Sequence, residues 1–594
     1  MTLNKWIRRF LASWCFVASG ALLISEIDYF NLEYTNSVDF IIFSAVLISI
    51  GGFLFVIDHF FKKIFIDDKV LAFSVVVYVI TLISKNNDFY TYIALCTVVA
   101  VVFYYLSIKN TLSLDKFKFP NFVAYISIGV IFVLSAFFIG KITVLRYMTF
   151  SSPNYDFGIF SQMFYNMKEH LIPVTTCERD GLLSHFAVHI SPIYYLLLPF
   201  YMIFPSPITL QVGQAVLLAS GVFPLYFIAK KYGISNKLSV LMCTVYAFYP
   251  VLAAGTFYDI HENCFLTPLL LWVFYFFEKK KYIPMYVFAL LVCMVKEDAA
   301  IYIAIFALYI LLSRKKYIHG GAVLVISVVY FLSVTAILSK YGTGVMTSRY
   351  SNYIYGDSGL FGMMKTIFVN PGYVFTQIFK ANENLNVREF LFDKLTYIMY
   401  MFLPLGFLPV LSKKTSRFIL LMPILLINLM SMYVYQYNIN FQYNFGTTAF
   451  LFYLAVMNLS EMKLPTKRFM LSFCTVSTAM LFCLVVMPKY NYYTDMYSES
   501  KETYTQMNEI LDTIPDDASV ICSTMLLPHL SSREILYEDY YTSNDAEYVV
   551  LDYRGGWVGQ STRFYNEYIS RGYVVYAEYE DMIMILHNPS YTEE

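Results

Sequence analysis

Four short polar segments interrupt long apolar runs, and they carry the side chains best suited to chemistry: SSPNYDFGIF around Asp156, SHFAVH with His185 and His189, FYDIHEN with Asp259, His261 and Glu262, and VKEDAA with Lys296, Glu297 and Asp298. A lone carboxylate where an apolar run meets a turn is a candidate general base, metal ligand or cation partner. Asp156 also precedes Phe157 as a helix cap would, because an acid there satisfies free N–H groups. Asp259, His261 and Glu262 are close enough in sequence to share acid–base work, or to bind a divalent cation or a phosphate-bound metal. A solvated turn is the commoner fate of such a cluster. Lys296, Glu297 and Asp298 break one continuous apolar stretch, 282 to 312, and charges at membrane depth usually face a cavity or pair with each other. Lys296 is therefore a candidate phosphate-binding cation, with a wet outer hairpin as the plainer reading. His185 and His189 stand four residues apart, on one face if helical, a weak metal-binding pair with no third ligand beside it. Arg349 and Arg388, in a long outer loop, have the fork geometry that clamps phosphate, with ordinary surface arginines as the default reading.

The elements that must position these residues follow from composition. With 58% hydrophobic and 14% charged residues among 594 and a mean hydropathy of +0.56, the chain is an integral membrane protein. Forty-two basic residues balance 42 acidic ones, which leaves no polyanion-binding signature and argues against nucleic acid as a partner. The nine cysteines sit mostly inside apolar runs, without a CxxC pair, and read as small core residues. The first apolar run, after Lys5, Arg8 and Arg9, reads as an uncleaved helix.

About fifteen apolar runs, from 10–25 to 469–487, are expected to span or nearly span a bilayer. Basic residues set the orientation: Lys5, Arg8 and Arg9 put the N-terminus in the cytoplasm, and Lys62, Lys63, Lys69, Lys109, Lys116 and Lys118 also fall inside. The apolar segment 189–208 carries Pro192, Pro199, Pro205 and Pro207. It is expected not to cross but to re-enter or lie along the interface as a cavity wall, since proline breaks helical bonding and irregular backbone survives there only under cover. With that parity the loop 142–207, the segments 257–263 and 296–298, a loop 339–395 and the tail after Pro488 all face outward. The tail predicts an amphipathic helix in ESKETYTQMNEILDTIP, strands in ASVICS, EYVVLD, YVVYAE and MIMILH, and a helix in STRFYNEYISR. The expected architecture is a mainly α, polytopic bundle: N-terminal spans at 1–121, a core at 122–487 and an extracytoplasmic α/β domain at 488–594.

The order YDFGIFSQMFYN, HFAVHISPIYYLLLPFYMIFPSP, LYFIAKKYG, FYDIHEN and VKEDAAIYIA resembles a bacterial and archaeal family of polytopic membrane proteins, domain of unknown function 2079, from about residue 145 through the tail. That family in turn resembles the GT-C glycosyltransferases. The resemblance implies a GT-C-like core at 122–487. It also implies transfer of a sugar, usually with inversion, from a polyprenyl-phosphate carrier to an envelope glycan or lipid acceptor at the outer face of the cell membrane. Asp156 matches the acidic position of the first outer loop and would deprotonate or orient the acceptor. Lys296, Arg349 and Arg388 would hold the donor phosphate, and Asp259, His261, Glu262, Glu297 and Asp298 would shape the acceptor side or bind a divalent cation, Mg or Mn. GT-C enzymes often carry two acids in that loop, and here the nearest other acid is Glu169. Two rival readings remain: a transporter or flippase of a lipid-linked intermediate, in which the same polar groups would line a pathway, and a non-catalytic envelope-assembly protein whose outer α/β tail binds a partner. Ionisable residues gathered at one face, without an inverted repeat, favour the enzyme.

Overall fold

The computed structural model describes residues 3–60, 67–85, 88–108, 119–344, 347–356, 359–379 and 387–591. Among them, eight helices are long and apolar enough to cross a membrane by length and composition: Asn4–Ile24, Phe40–Phe60, Phe89–Ile108, Asn121–Met148, Pro207–Lys231, Asn236–Ala254, Tyr317–Tyr341 and Leu464–Glu499. The sequence expects about fifteen crossings, and the difference lies in short helices. Leu266–Glu278, Tyr282–Cys293, Ala300–Leu312 and Phe445–Ser460 have 12 to 16 residues, roughly 18 to 24 Å at the helical rise, against a hydrocarbon core of about 30 Å. Leu266–Glu278 ends at a charge, and Lys296 to Asp298 separate Tyr282–Cys293 from Ala300–Leu312. Phe445–Leu459 is buried on every side, as an all-apolar helix must be in a bundle interior. The expected span 418–435 is an irregular helical run instead, a 3-10 turn at Thr415–Leu421 followed by a wide turn at Ile424–Leu429.

At the N-terminal end, Lys5 pairs with Asp58 at 2.7 Å, Arg8 with Asp68 at 2.5 Å and Arg9 with Asp67 at 2.7 Å, tying three helices together. Lys62, Lys63, Lys109, Lys116 and Lys118 lie outside the described residues.

The proline-rich segment 189–208 forms a 3-10 turn, Pro192–Leu196, and a six-residue helix, Leu198–Ile203. Ile193, Tyr194 and Tyr201 are buried, while Phe200, Ile203 and Phe204 face outward. A piece this short cannot cross a bilayer. The expected loop 339–395 is largely helical where it is described, with Gly359–Val369 and Pro371–Phe379 turning Phe361, Phe368 and Phe375 outward.

Two sheets are present among the described residues. A small hairpin pairs β1 (Val174–Thr175) with β2 (Leu183–Ser184). The tail contains β3 (Val520–Cys522), β4 (Leu536–Glu538), β5 (Tyr548–Asp552), β6 (Val574–Tyr579) and β7 (Ile583–His587), in the spatial order β4-β3-β5-β7-β6. β3 runs parallel to both β4 and β5, and β7 antiparallel to β5 and β6. Alternation divides the buried side chains between two faces. Val520, Cys522 and Val550 pack with Tyr504, Met507 and Leu511 of the helix Lys501–Leu511, whereas Ile521, Val549 and Leu551 pack with Phe564 and Tyr568 of Val558–Ser570. The tail is thus a helix–sheet–helix sandwich.

Candidate functional site

After the helix Asn121–Met148 the chain turns through a wide loop, Asn154–Gly158, before the helix Ile159–His170 begins. Within the loop Tyr155 has φ −50° and ψ 114°, and Asp156 has φ 63° and ψ −60°. A non-glycine residue in that region costs about 1–3 kcal/mol and persists only where its surroundings hold it. The tail supplies the hold. Asn154 donates its backbone N–H to Thr524 Oγ1 at 3.1 Å and its side-chain Nδ2 to Glu538 Oε2 at 2.7 Å, and Tyr155 shares a 2.8 Å bond with Tyr541. Gly158 permits the close approach: a Cβ there would stand 2.5 Å from Leu527 Cδ2 and 2.7 Å from Asn154 Oδ1. Asp156 caps nothing, for the helix Ile159–His170 starts without a side-chain cap.

Asp156 opens instead into a cavity of about 330 Å³. Four more of the residues singled out in the sequence, Lys296, His261, His185 and His189, reach the same cavity from three other segments, and Arg349 closes it from a 3-10 turn, Thr347–Tyr353. Burial raises the Asp156 carboxyl above the usual carboxylate range; Glu262 adds to this, while His261, Lys296 and His185 pull against it. A carboxylate made more basic in this way suits a proton acceptor.

A charged network joins these cavity residues to carboxylates buried beside them. Lys296 Nζ is 3.1 Å from Glu262 Oε1, and Glu262 Oε2 takes His261 Nδ1 at 3.0 Å and the Tyr194 hydroxyl at 2.9 Å. Burial opposes the Glu262 charge, but His261 and Lys296 outweigh it and hold the carboxyl well below its ordinary value. Burial likewise opposes the Lys296 charge, and Glu262, Glu297 and Asp298 overturn it, so the ammonium is kept. His189 Nδ1 meets Glu297 Oε1 at 2.9 Å, yet burial and Lys296 push this histidine down to about 4, which makes it neutral. Burial also lowers His185, but its 3.0 Å bond to Glu178 and the charge of that residue reverse the sign. Asp298 is half-buried, its carboxyl raised by burial, and it does not line the cavity.

Asp259 is drawn away from the cavity. It accepts from Arg146 Nη2 at 3.0 Å and Nε at 3.3 Å, from Gln211 at 2.7 Å and from Ser152 at 3.0 Å. The side chain of Arg388 lies outside the described residues. Among the described residues no three His, Cys, Asp or Glu side chains converge to hold a metal ion. The His185 and His189 rings are 6.1 Å apart, each turned to its own carboxylate.

Other cavity residues escaped the sequence reading. Glu169 pairs with Lys168 at the exposed end of its helix. The second acid beside Asp156 in the cavity is Glu178, brought there with Arg179 by the turn between β1 and β2. The charged run CERDG just before SHFAVH was the available signal. One wall is aromatic: Tyr433, Tyr435, Phe441 and Tyr443, with Tyr258 5.4 Å from Phe441. The Arg349 guanidinium lies 4.4 Å from the Tyr433 ring centre and 5.2 Å from that of Tyr443. No sequence spacing separates these rings from the many others in the chain.

Comparison with known proteins agrees with this geometry at the level of fold. No curated protein matches the sequence. Among solved structures, ArnT from Cupriavidus metallidurans bound to undecaprenyl phosphate is similar with a TM-score of 0.50 and 10% identity, over 78% of this chain and 98% of that one. ArnT in the apo state gives 0.46 at 10% identity, over 77% and 97%. The likeness to the undecaprenyl-phosphate-bound ArnT is one of fold. The family model described as "Predicted membrane protein (DUF2079)" matches residues 146–583, and on that match, which takes in well over half of the chain, the protein belongs to the DUF2079 family.

Proposed function

We propose that this protein is a glycosyltransferase of the GT-C kind, moving a sugar from a polyprenyl-phosphate donor to an envelope glycan or lipid acceptor at the outer face of the cytoplasmic membrane. The observation that carries the reading is the Asp156 carboxylate, made basic by burial and opening into a cavity that also receives the Lys296 ammonium and the Arg349 guanidinium. In this scheme Asp156 takes the proton of an acceptor hydroxyl. The freed oxygen attacks the anomeric carbon, and the carbon–oxygen bond to phosphate breaks with its electron pair leaving on the phosphate. Lys296 and Arg349 stabilise the charge that develops there. The aromatic wall of Tyr433, Tyr435 and Tyr443 offers ring faces to the apolar face of a sugar. ArnT in its undecaprenyl-phosphate complex lends the donor class its support. The N-terminus is assigned to the cytoplasm, and the tail, with the cavity, to the outer side. Glu262, Glu297 and Asp298 sustain the charge of Lys296, His261 pairs with Glu262, and Asp259 ties Ser152 to Arg146 beside the loop.

The test is a transfer assay with purified protein, radiolabelled polyprenyl-phosphate sugars and crude envelope acceptors, comparing wild type with Asp156→Asn. Label passing to acceptor only with wild type supports the enzyme and its carboxylate. Equal transfer by both removes Asp156 from the chemistry. Binding of the lipid-linked sugar without transfer, under every condition, turns the reading to a transporter.

A further inference from the structure

We infer that the α/β tail is a clamp for the Asp156 loop, and that Glu538 is a positioning residue for the proposed reaction. The inference rests on that reading only for its kinetic half. The side chain of Asn154, two residues before Asp156, is held by Glu538 Oε2 at 2.7 Å and by the Cys177 carbonyl at 3.3 Å, and its backbone N–H goes to Thr524. Thr524 follows β3 and Glu538 ends β4, so both stand at the carboxyl ends of parallel strands. In open α/β sheets that edge is where a ligand crevice forms. Here the edge receives the chain's own loop.

The same strand steadies the Glu178 side of the cavity. Thr176 Oγ1 donates to the Leu536 carbonyl at 2.7 Å and accepts from Leu536 N–H at 2.9 Å, and Gln162 Nε2 donates to the Glu534 carbonyl at 2.9 Å. Gln162 Oε1 in turn accepts from Thr175 Oγ1 at 2.8 Å and Thr176 N–H at 2.9 Å. One strand of the tail therefore fixes the spacing between the two cavity acids, Asp156 and Glu178. Behind it, Ser523 donates to Asp539 at 2.5 Å and accepts from Asp552 N–H at 3.1 Å, which joins β3, β4 and β5 at this edge. Without the clamp, the left-handed backbone of Asp156 relaxes and the carboxylate leaves its place opposite Lys296.

The experiment uses the full chain in nanodiscs, with Glu538→Ala, Glu538→Gln and Asn154→Ala. It reads hydrogen exchange of the 152–158 amides and, separately, kcat and KM for transfer. Glu538→Gln keeps an acceptor oxygen and is expected to stay within about twofold of wild type, whereas Glu538→Ala and Asn154→Ala speed exchange of 152–158 by about tenfold, the effect of losing one charge-assisted bond. Both alanine variants lower kcat with KM for the donor unchanged, while β3 and β5 exchange as in wild type. Unchanged loop exchange in both alanine variants overturns the clamp, as does a glutamine variant that behaves like alanine. If Glu538→Ala unfolds the tail, Asn154→Ala decides alone, since it removes the bond from the loop side. A wild-type protein that transfers nothing defeats the enzyme reading, and the exchange arm still judges the clamp.

Discussion

Two aspartates on facing loops share an unusual backbone and little else. Asp156 has φ 63° and Asp259 has φ 68°, so each is strained and each must be held. Asp259 is held by its own carboxylate, which accepts from Arg146, Gln211 and Ser152. Asp156 is held by its neighbours Asn154 and Tyr155, which leaves its carboxylate turned to the cavity. The same residue type under the same strain thus serves structure in one loop and faces an open cavity in the other. Partnership of the side chain, more than its type or its strain, separates the two.

The widest separation is expected between their asparagine variants. Asp156→Asn should cut transfer by about 10²- to 10⁴-fold while thermal stability and donor binding stay at wild-type values. Asp259→Asn should do the reverse, destabilising by about 3–5 kcal/mol because the Arg146 charge loses its partner; melting curves in detergent read this directly. A stable Asp259→Asn protein with no activity would break the comparison. Next in size, Lys296→Met should raise the donor KM by roughly ten- to hundredfold, the worth of a hydrogen bond to a charged group, as followed by binding of the lipid-linked sugar. It should do so with a loss of stability as well, because Glu262 then keeps its buried charge with one partner fewer.

The acid limb of the rate sharpens the contrast further. A proton acceptor works as its carboxylate, so activity should disappear as pH falls through the Asp156 pKa. Because burial raises that value, the loss should come at higher pH than for an ordinary aspartate near about 3.9. A pH–rate profile with its midpoint at or below that value would remove the raised carboxyl from the chemistry. The smallest effect concerns the loop's holder. His529 stacks 3.6 Å from Phe150 and 4.2 Å from Tyr147, and burial pushes it down to about 3. An unfolded histidine titrates near about 6.5, so the fold prefers the neutral ring. The stability it contributes is present above about 6.5 and is lost as pH falls toward 3, by at most about 1.4 kcal/mol per unit. Limited proteolysis of the tail between pH 7 and 4, wild type against His529→Phe, should show that dependence flattened in the variant.

Much of this site could be located from sequence because charge inside an apolar run has few innocent explanations: the interruptions at 156, 261 and 296 all lead to the cavity. What sequence could not show is which charges are spent on one another. Asp259, next to His261 but one in the chain, turns to Arg146, 113 residues away. Glu178 was passed over because it sits in a polar turn, where acids are ordinary. The tail's strands stood out through β-branched runs, except β4, whose three residues, Leu536–Glu538, are too few for an alternating pattern to register. The short helices fall below the length of a perpendicular crossing, and apolar content alone reports burial without saying whether lipid or protein does the burying.

The bond between Asn154 and Glu538 spans 384 positions of the chain, and that separation has a consequence in time. At a synthesis rate of about 5–20 residues per second, the loop waits roughly 20 to 80 seconds for the strand that secures it. The nascent protein can be inserted, with most of its helices packed, while the loop of Asp156 still lacks the strand that holds it. A chain that stops before Glu538 lacks the bond that holds Asn154 and its loop.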